Sequence, residues 1–222
     1  MRWKLLRRRL SVSAPRMTVR SHLPWPIRWA VAALALGFSA ALALWAFEFG
    51  KGIAGLDRDD KVELIELADF KIPAQVAAGV PLEEGERDDF PSLVPRIEDP
   101  KVVGIILGTP VYFGNMSALC KAFLDRCIAF RKNNFSLSGK VAGVLAVGGN
   151  RNGGQELTLQ SIHVALMSHQ LIIVGDGTPT AHWGGTLWNQ ANDDISQDEL
   201  GLSTARNLGK RVAEVALQFH TP

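Results

Sequence analysis

Three continuous apolar runs mark the second half of the chain: Val102 to Leu107, Val141 to Val147 and Leu171 to Val174. Short runs of this kind, bounded by glycine-rich segments, are expected of strands buried on both faces of a sheet. Between them the period changes. Helices are expected over about 117–131 and 156–169, and a last one to about Phe219 opens at Ser196-x-x-Glu199, which has capping-box spacing. In that last helix Leu208, Val212, Val215 and Leu217 keep near-helical spacing, while Arg206, Lys210 and Arg211 fall on the water side. Val62 to Leu67 alternates apolar and acidic residues and predicts a half-exposed strand. Residues 73–100 read as loop, with Pro81, Pro91, Pro95 and Pro100 following Pro73. Strands alternating with helices across short loops predict an α/β fold, a parallel sheet covered on both faces.

One apolar run has a different length. Trp29 to Phe47 is uncharged throughout, and at about 1.5 Å per residue it spans roughly 28 Å, close to the thickness of a bilayer's hydrocarbon core. Trp25, Trp29 and Trp45 lie near its ends, where indoles favour the headgroup region. The pattern predicts a basic arm over 1–24, one transmembrane helix over 25–50, a glycine-punctuated linker over 51–60 and a folded domain over 61–222. That makes the chain a single-pass protein, expected in a bacterial inner membrane. The eight Lys/Arg among residues 1–28 favour a cytoplasmic N-terminus and would send the rest of the chain outward.

Charge sharpens this division. Those first 28 residues carry no acid, so the other 16 bases face all 22 acids, a balance of −6 over the remainder. The acidic cluster Glu83, Glu84, Glu86, Asp88 and Asp89 has no spacing that converges on a metal and reads as solvated surface. No basic, aromatic-interleaved stretch suited to nucleic acid occurs within the domain. Cys120 and Cys127 are seven apart on one expected helix, too far for a disulfide, and read as buried small residues. There is no Walker phosphate loop, G-x-G-x-x-G or zinc signature.

Candidate chemistry gathers on three loops, 108–116, 148–156 and 175–190, each expected to follow a parallel strand and to meet at one sheet edge. Their glycines allow close backbone approach to a ligand, Tyr112, Phe113 and Trp183 offer faces for stacking, and Asn115, Asn150 and Gln155 carry polar groups suited to a flat heterocycle. The run Gly108-Thr109-Pro110-Val111-Tyr112-Phe113-Gly114-Asn115-Met116-Ser117-Ala118, followed by Lys121-Ala122-Phe123-Leu124-Asp125-Arg126, resembles the multimeric flavodoxin-type family. That family includes NADPH-dependent FMN reductases, WrbA-like quinone reductases and iron–sulfur flavoproteins. Gly148-Gly149 with Gly153-Gly154-Gln155-Glu156 is similar to its second flavin loop, and His182-Trp183-Gly184-Gly185 to its third. Gly201-Leu202-x-x-Ala205-Arg206-x-Leu208-Gly209 resembles its closing helix.

The resemblance covers about 61–219 and implies a flavodoxin-like doubly wound sheet holding FMN, with NAD(P)H as co-substrate. That need for NAD(P)H conflicts with the outward placement the charge bias favours, so the side of the folded domain stays open. By analogy, Thr109, Pro110, Val111, Tyr112, Phe113, Gly114, Asn115 and Met116 contact the isoalloxazine and ribityl chain. Gly149, Asn150, Gly153 and Gly154 take its pyrimidine side, and His182 lies beside the ring. A small-molecule acceptor such as a quinone or free flavin would receive the electrons, and the family implies a homo-oligomer. No catalytic side-chain set is required, because the cofactor carries the chemistry. Two departures are expected. The cysteine cluster of iron–sulfur members is absent from 71–100, and the family's first strand, phosphate loop and first helix are replaced by the apolar segment. The alternative reading is a membrane-anchored remnant that holds no flavin tightly; a third is an electron-transfer flavodoxin without its own NAD(P)H step.

Overall fold

Strand β3 (Val102–Tyr112) is held between two parallel neighbours, β1 (Arg28–Ala33) and β5 (Val141–Gly148). The protein is known here from a computed structural model that describes residues 28–33 and 61–220, with side chains over 62–219. Strand β2 (Lys61–Leu64) adds to the free side of β1. On the far side, β6 (Ile172–Ile173) and β7 (Gly185–Trp188) both pair in parallel with β5, one with its beginning and one with its end. The order is therefore β2-β1-β3-β5-β6, with β7 prolonging the β6 position, and β4 (Asn115–Met116) turns back antiparallel on the end of β3. This is the doubly wound flavodoxin-like arrangement expected of the alternating pattern.

Strand β1 corrects the most consequential expectation. Arg28–Ala33 occupies the central position that was expected to be vacant, and lies in a sheet rather than in a membrane helix. The physical reason is an ambiguity of pattern: a central parallel strand reads as an unbroken apolar run, and periodicity cannot distinguish it from a buried or membrane helix. The rest of the expected membrane segment and linker, the basic arm and the missing phosphate loop lie outside the described residues. Among the described residues, no helix is long and apolar enough to cross a membrane.

Helices α1 (Phe90–Glu98), α2 (Ala118–Arg126), α3 (Ile128–Lys132) and α4 (Gln155–Met167) cover one face, and α5 (Glu199–His220) the other. The two faces of β3 divide the core, and the register shift against β1 between Arg28 and Ala30 puts Val102 on the same side as Ile105 and Leu107. Val102, Ile105 and Leu107 face Leu93, Phe123, Phe130 and Leu159, while Val103 and Ile106 face Leu208 and Val212 of α5. The close fit of α5 needs Gly143: a Cβ there would come 2.8 Å from both Leu208 Cδ1 and Val212 Cγ2.

Several local expectations shift. Residues 73–100 contain α1, whose Pro91 sits in the first turn where its missing N–H costs nothing. The stretch expected as one helix over 117–131 divides at Cys127 into α2 and α3. Ser117 does cap α2, accepting from Cys120 N at 3.2 Å. The start of α5 is held by Asp198, not Ser196; Asp198 Oδ1 accepts from Gly201 N at 2.9 Å. Side chains from this region also blunt the open edge of β7, since Thr186 N donates to Thr204 Oγ1 (3.0 Å) and Trp188 N to Asp198 Oδ2 (2.6 Å).

Candidate functional site

The carboxyl end of β3 carries the expected loop, but it is shorter than the sequence suggested. Thr109 and Pro110 are buried within the strand, in register with Ala146 and Val147, and Val111 pairs with Met116 across the β3–β4 hairpin. Thr109 braces the turn from beneath: its hydroxyl accepts from Ser117 N at 3.1 Å and donates to Pro110 O at 3.0 Å. Val111 and Met116 are half-buried against the core. These four residues position the loop, and its accessible surface is Tyr112, Phe113, Gly114 and Asn115.

At that tip, Tyr112 is 44% exposed and Phe113 fully exposed. Phe113 and Gly114 both take positive φ, 52° and 74°, which turns the chain back sharply. Asn115 ties the tip to α4, its Oδ1 accepting from Met116 N (2.8 Å) and from Ser161 Oγ (3.1 Å).

The second loop, which follows β5, is organised by a buried amide. Gln155 Nε2 donates to Asn150 O (2.6 Å) and Leu187 O (3.2 Å), and its Oε1 accepts from Gly153 N (2.8 Å). A ring-contacting role for Gln155 is thereby corrected: its amide is committed to shaping the loop. Gly149 O accepts from Trp188 Nε1 at 3.0 Å, and Asn150 is exposed. Gly154, at φ 100°, brings this loop against the hairpin tip, where its missing Cβ would lie 2.8 Å from Gly114 Cα. The two expected flavin loops therefore form one surface.

The third loop differs from expectation in connection. Residues 174–184 follow the parallel strand β6 as expected, but they lead into β7, which shares β5 as its neighbour and takes up part of the expected loop. The polar requirement of the insertion is met by Asp176, which is buried and accepts from His182 N and from Thr180 Oγ1. His182, together with Gly154, Gln155, Leu157, Thr186, Leu200 and Thr204, lines an open cleft of about 460 Å³ at the N-terminal ends of α4 and α5. Arg151 forms another part of the wall, paired with buried Asp198 and lying over the Trp188 ring at 5.2 Å. Trp183 is half-exposed.

Sequence reasoning missed Asp176, Asp198, Arg151 and Leu157. Asp198 stands directly before a helical pattern, an N-cap signal that was overlooked in favour of Ser196; the others carried no short-range signal. The two cysteines are buried and free, as their spacing suggested, and burial pushes the Cys120 thiol up to about 12 and raises that of Cys127 as well. Neither is an available nucleophile. Among the described residues no three His, Cys, Asp or Glu side chains converge on a metal position.

Comparison with known proteins bears on this surface. The family model for NADPH-dependent FMN reductases matches residues 35–184. An iron–sulfur flavoprotein of Methanocaldococcus jannaschii is 46% identical over 158 residues, covering 70% of this chain and 80% of that protein. An NAD(P)H dehydrogenase (quinone) of Chromohalobacter salexigens is 30% identical over 202 residues, covering 82% and 93%. Among solved structures, a flavodoxin, WrbA-like protein from Agrobacterium tumefaciens superposes with a TM-score of 0.58 at 22% identity, covering 86% of this chain and 98% of that one.

Proposed function

The chain belongs to the NADPH-dependent FMN reductase family, and from that premise we propose that it passes electrons from NAD(P)H through FMN to a quinone or similar small acceptor. FMN is the flavin and NAD(P)H the co-substrate of this family. The observation that carries the reading is the joined surface of the β3–β4 tip and the β5–α4 loop, with exposed Tyr112 and Phe113 at its rim and Gly114 and Gly154 in backbone contact.

The residues present fit the ring portion of the cofactor. A flat, amphipathic ring system requires aromatic faces and closely approaching backbone, and both are found on this surface. Tyr112, Phe113, Gly114, Asn115, Gly149, Asn150, Gly153 and Gly154 would hold it, while Thr109, Pro110, Val111 and Met116 support them from within the strand pair. When bound, FMN supplies the hydride and electron transfer; the chain's own task is to bind it, orient it and limit water at its face. Exposed Leu157 beside this surface suits cover by a second copy of the chain, in keeping with a homo-oligomer.

Two other readings lose support. The remnant hypothesis rested on a sheet lacking its central strand, and β1 fills that position. The expected membrane helix over 25–50 also loses support, because Arg28–Ala33 within it lies in the sheet. An iron–sulfur cluster, named in the M. jannaschii relative, is no part of the proposal either: such clusters take about four cysteine ligands, and this chain has two, both buried in the core.

The test is steady-state oxidation of NADH and NADPH by 1,4-benzoquinone, with and without added FMN. FMN-dependent turnover with either nucleotide supports the reading; oxidation at the rate of a protein-free FMN control contradicts it.

A further inference from the structure

The β6–β7 insertion is built around a buried carboxylate that the flavin surface does not use. Asp176 is 1% exposed. One of its oxygens accepts from His182 N, and the other accepts from Thr180 Oγ1 at 2.5 Å and stands 3.5 Å from His182 Nδ1. The arrangement is braced from outside: Asn207 Nδ2 of α5 donates to Thr180 Oγ1 at 2.7 Å, and Asp176 N donates to His182 O at 3.3 Å. The imidazole itself remains 39% exposed and belongs to the wall of the cleft.

The carboxylate lies 3.5 Å from Nδ1, near enough to favour electrostatically the tautomer that carries its proton there, with Nε2 on the other side of the ring. The cleft adds the rest of a binding site for a ring with carbonyl oxygens: Leu157 and Leu200 are apolar and exposed, and Arg151 and Asn152 are polar. It shares Gly154 with the proposed flavin surface.

We propose that Asp176 and His182 form the acid–base pair of this cleft, with His182 the proton donor to a quinone-type acceptor and Asp176 the residue that positions it. The inference rests on the oxidoreductase reading above. As a hydride equivalent originating from NAD(P)H reduces the acceptor by two electrons, the Nε2–H bond of the imidazolium breaks and an O–H bond forms on the acceptor's carbonyl oxygen. The products are the hydroquinone, oxidised nicotinamide and a neutral imidazole, which takes its next proton from water.

The experiment uses the purified full chain and has two arms. In the first, long-range ¹H–¹⁵N NMR of the flavin-free protein at pH 8 reads the His182 tautomer. The proton is expected on Nδ1 in the wild type, with that preference lost in Asp176→Asn. In the second, FMN-loaded protein with NAD(P)H reduces either 1,4-benzoquinone, which needs a proton, or ferricyanide, which takes electrons alone. The ratio of quinone to ferricyanide turnover is expected to fall about 100-fold in His182→Gln and about 10-fold in Asp176→Asn. A purely structural role for the pair would lower both turnovers together and leave the ratio constant, and that result overturns the proposal. A proton on Nε2 in the wild type, or a fall confined to His182→Gln, overturns the positioning role of Asp176. A wild type that reduces neither acceptor overturns the oxidoreductase reading itself, and the proposal with it.

Discussion

Gly154 and Gly114 meet backbone to backbone, so closely that a Cβ on Gly154 would stand 2.8 Å from Gly114 Cα. One residue belongs to the loop after β5 and the other to the tip after β3, so this contact is what makes the two loops a single surface. Gly154 also has φ 100°, a region that side-chain-bearing residues seldom adopt. Gly154→Ala is therefore expected to spread the loops at a strain of about 1–3 kcal/mol. FMN fluorescence titration would show affinity reduced at least about tenfold. Unchanged affinity would remove the contact from the site.

Phe113 offers a cleaner separation of binding from stability. It is fully exposed and contributes no buried area to the fold. Phe113→Ala should leave the thermal midpoint where it is while weakening flavin binding by about 1 kcal/mol, the scale of one aromatic stacking contact. A variant that melts earlier yet binds FMN normally would reverse that assignment.

The loop preceding α1 depends on Arg126. Its guanidinium reaches Asp88 through two bonds of 3.0 and 2.7 Å, donates to Pro73 O at 3.2 Å and lies 4.7 Å from the centre of the Phe90 ring. Both charged side chains are largely buried, 9% and 12% exposed, so removing one leaves the other uncompensated. Asp88→Ala is expected to cost about 3 kcal/mol in urea unfolding, against well under 1 kcal/mol for Asp125→Ala in the exposed Lys121–Asp125 pair.

Acid should weaken the fold through two histidines on the α4 side. Burial lowers the pKa of His163, and burial together with Arg131 lowers that of His169. His163 Nε2 and His169 Nδ1 are buried without a hydrogen-bond partner among the described residues. Both groups are neutral in the folded state and bind protons more readily once unfolded. Their contribution is present above the unfolded value of about 6.5 and is lost as pH falls below it. Urea midpoints measured at pH 7.5 and 5.5 should show a drop that shrinks in a His163→Gln/His169→Gln double variant. An equal drop in both proteins would assign the acid sensitivity to other groups.

Much of this architecture was legible in the residues. The runs at 102–107 and 141–147 were strands because both of their faces are covered, and the three loops were correctly seen as carrying aromatics and glycines. Strand β1 was not legible, because an unbroken apolar run fits a central strand and a membrane helix equally well until its pairing partners are known. The split of the last strand into β6 and β7 was hidden for a related reason: two short segments sharing β5 leave no periodic trace across an eleven-residue insertion. At the site, the exposed tip Tyr112–Asn115 could be read from sequence. The duties of Thr109 and Gln155 could not, since a buried hydroxyl or amide that organises a loop is identical in sequence to one that meets a ligand.

The central claim is that the hairpin tip and the glycine-rich loop together hold FMN. It is tested most directly by titrating the purified full chain with FMN and reading flavin fluorescence and stoichiometry by ultrafiltration. The account predicts one FMN per chain, with affinity reduced in both Phe113→Ala and Gly154→Ala. A protein whose circular dichroism shows it folded, but which retains no FMN at micromolar concentration, would contradict it.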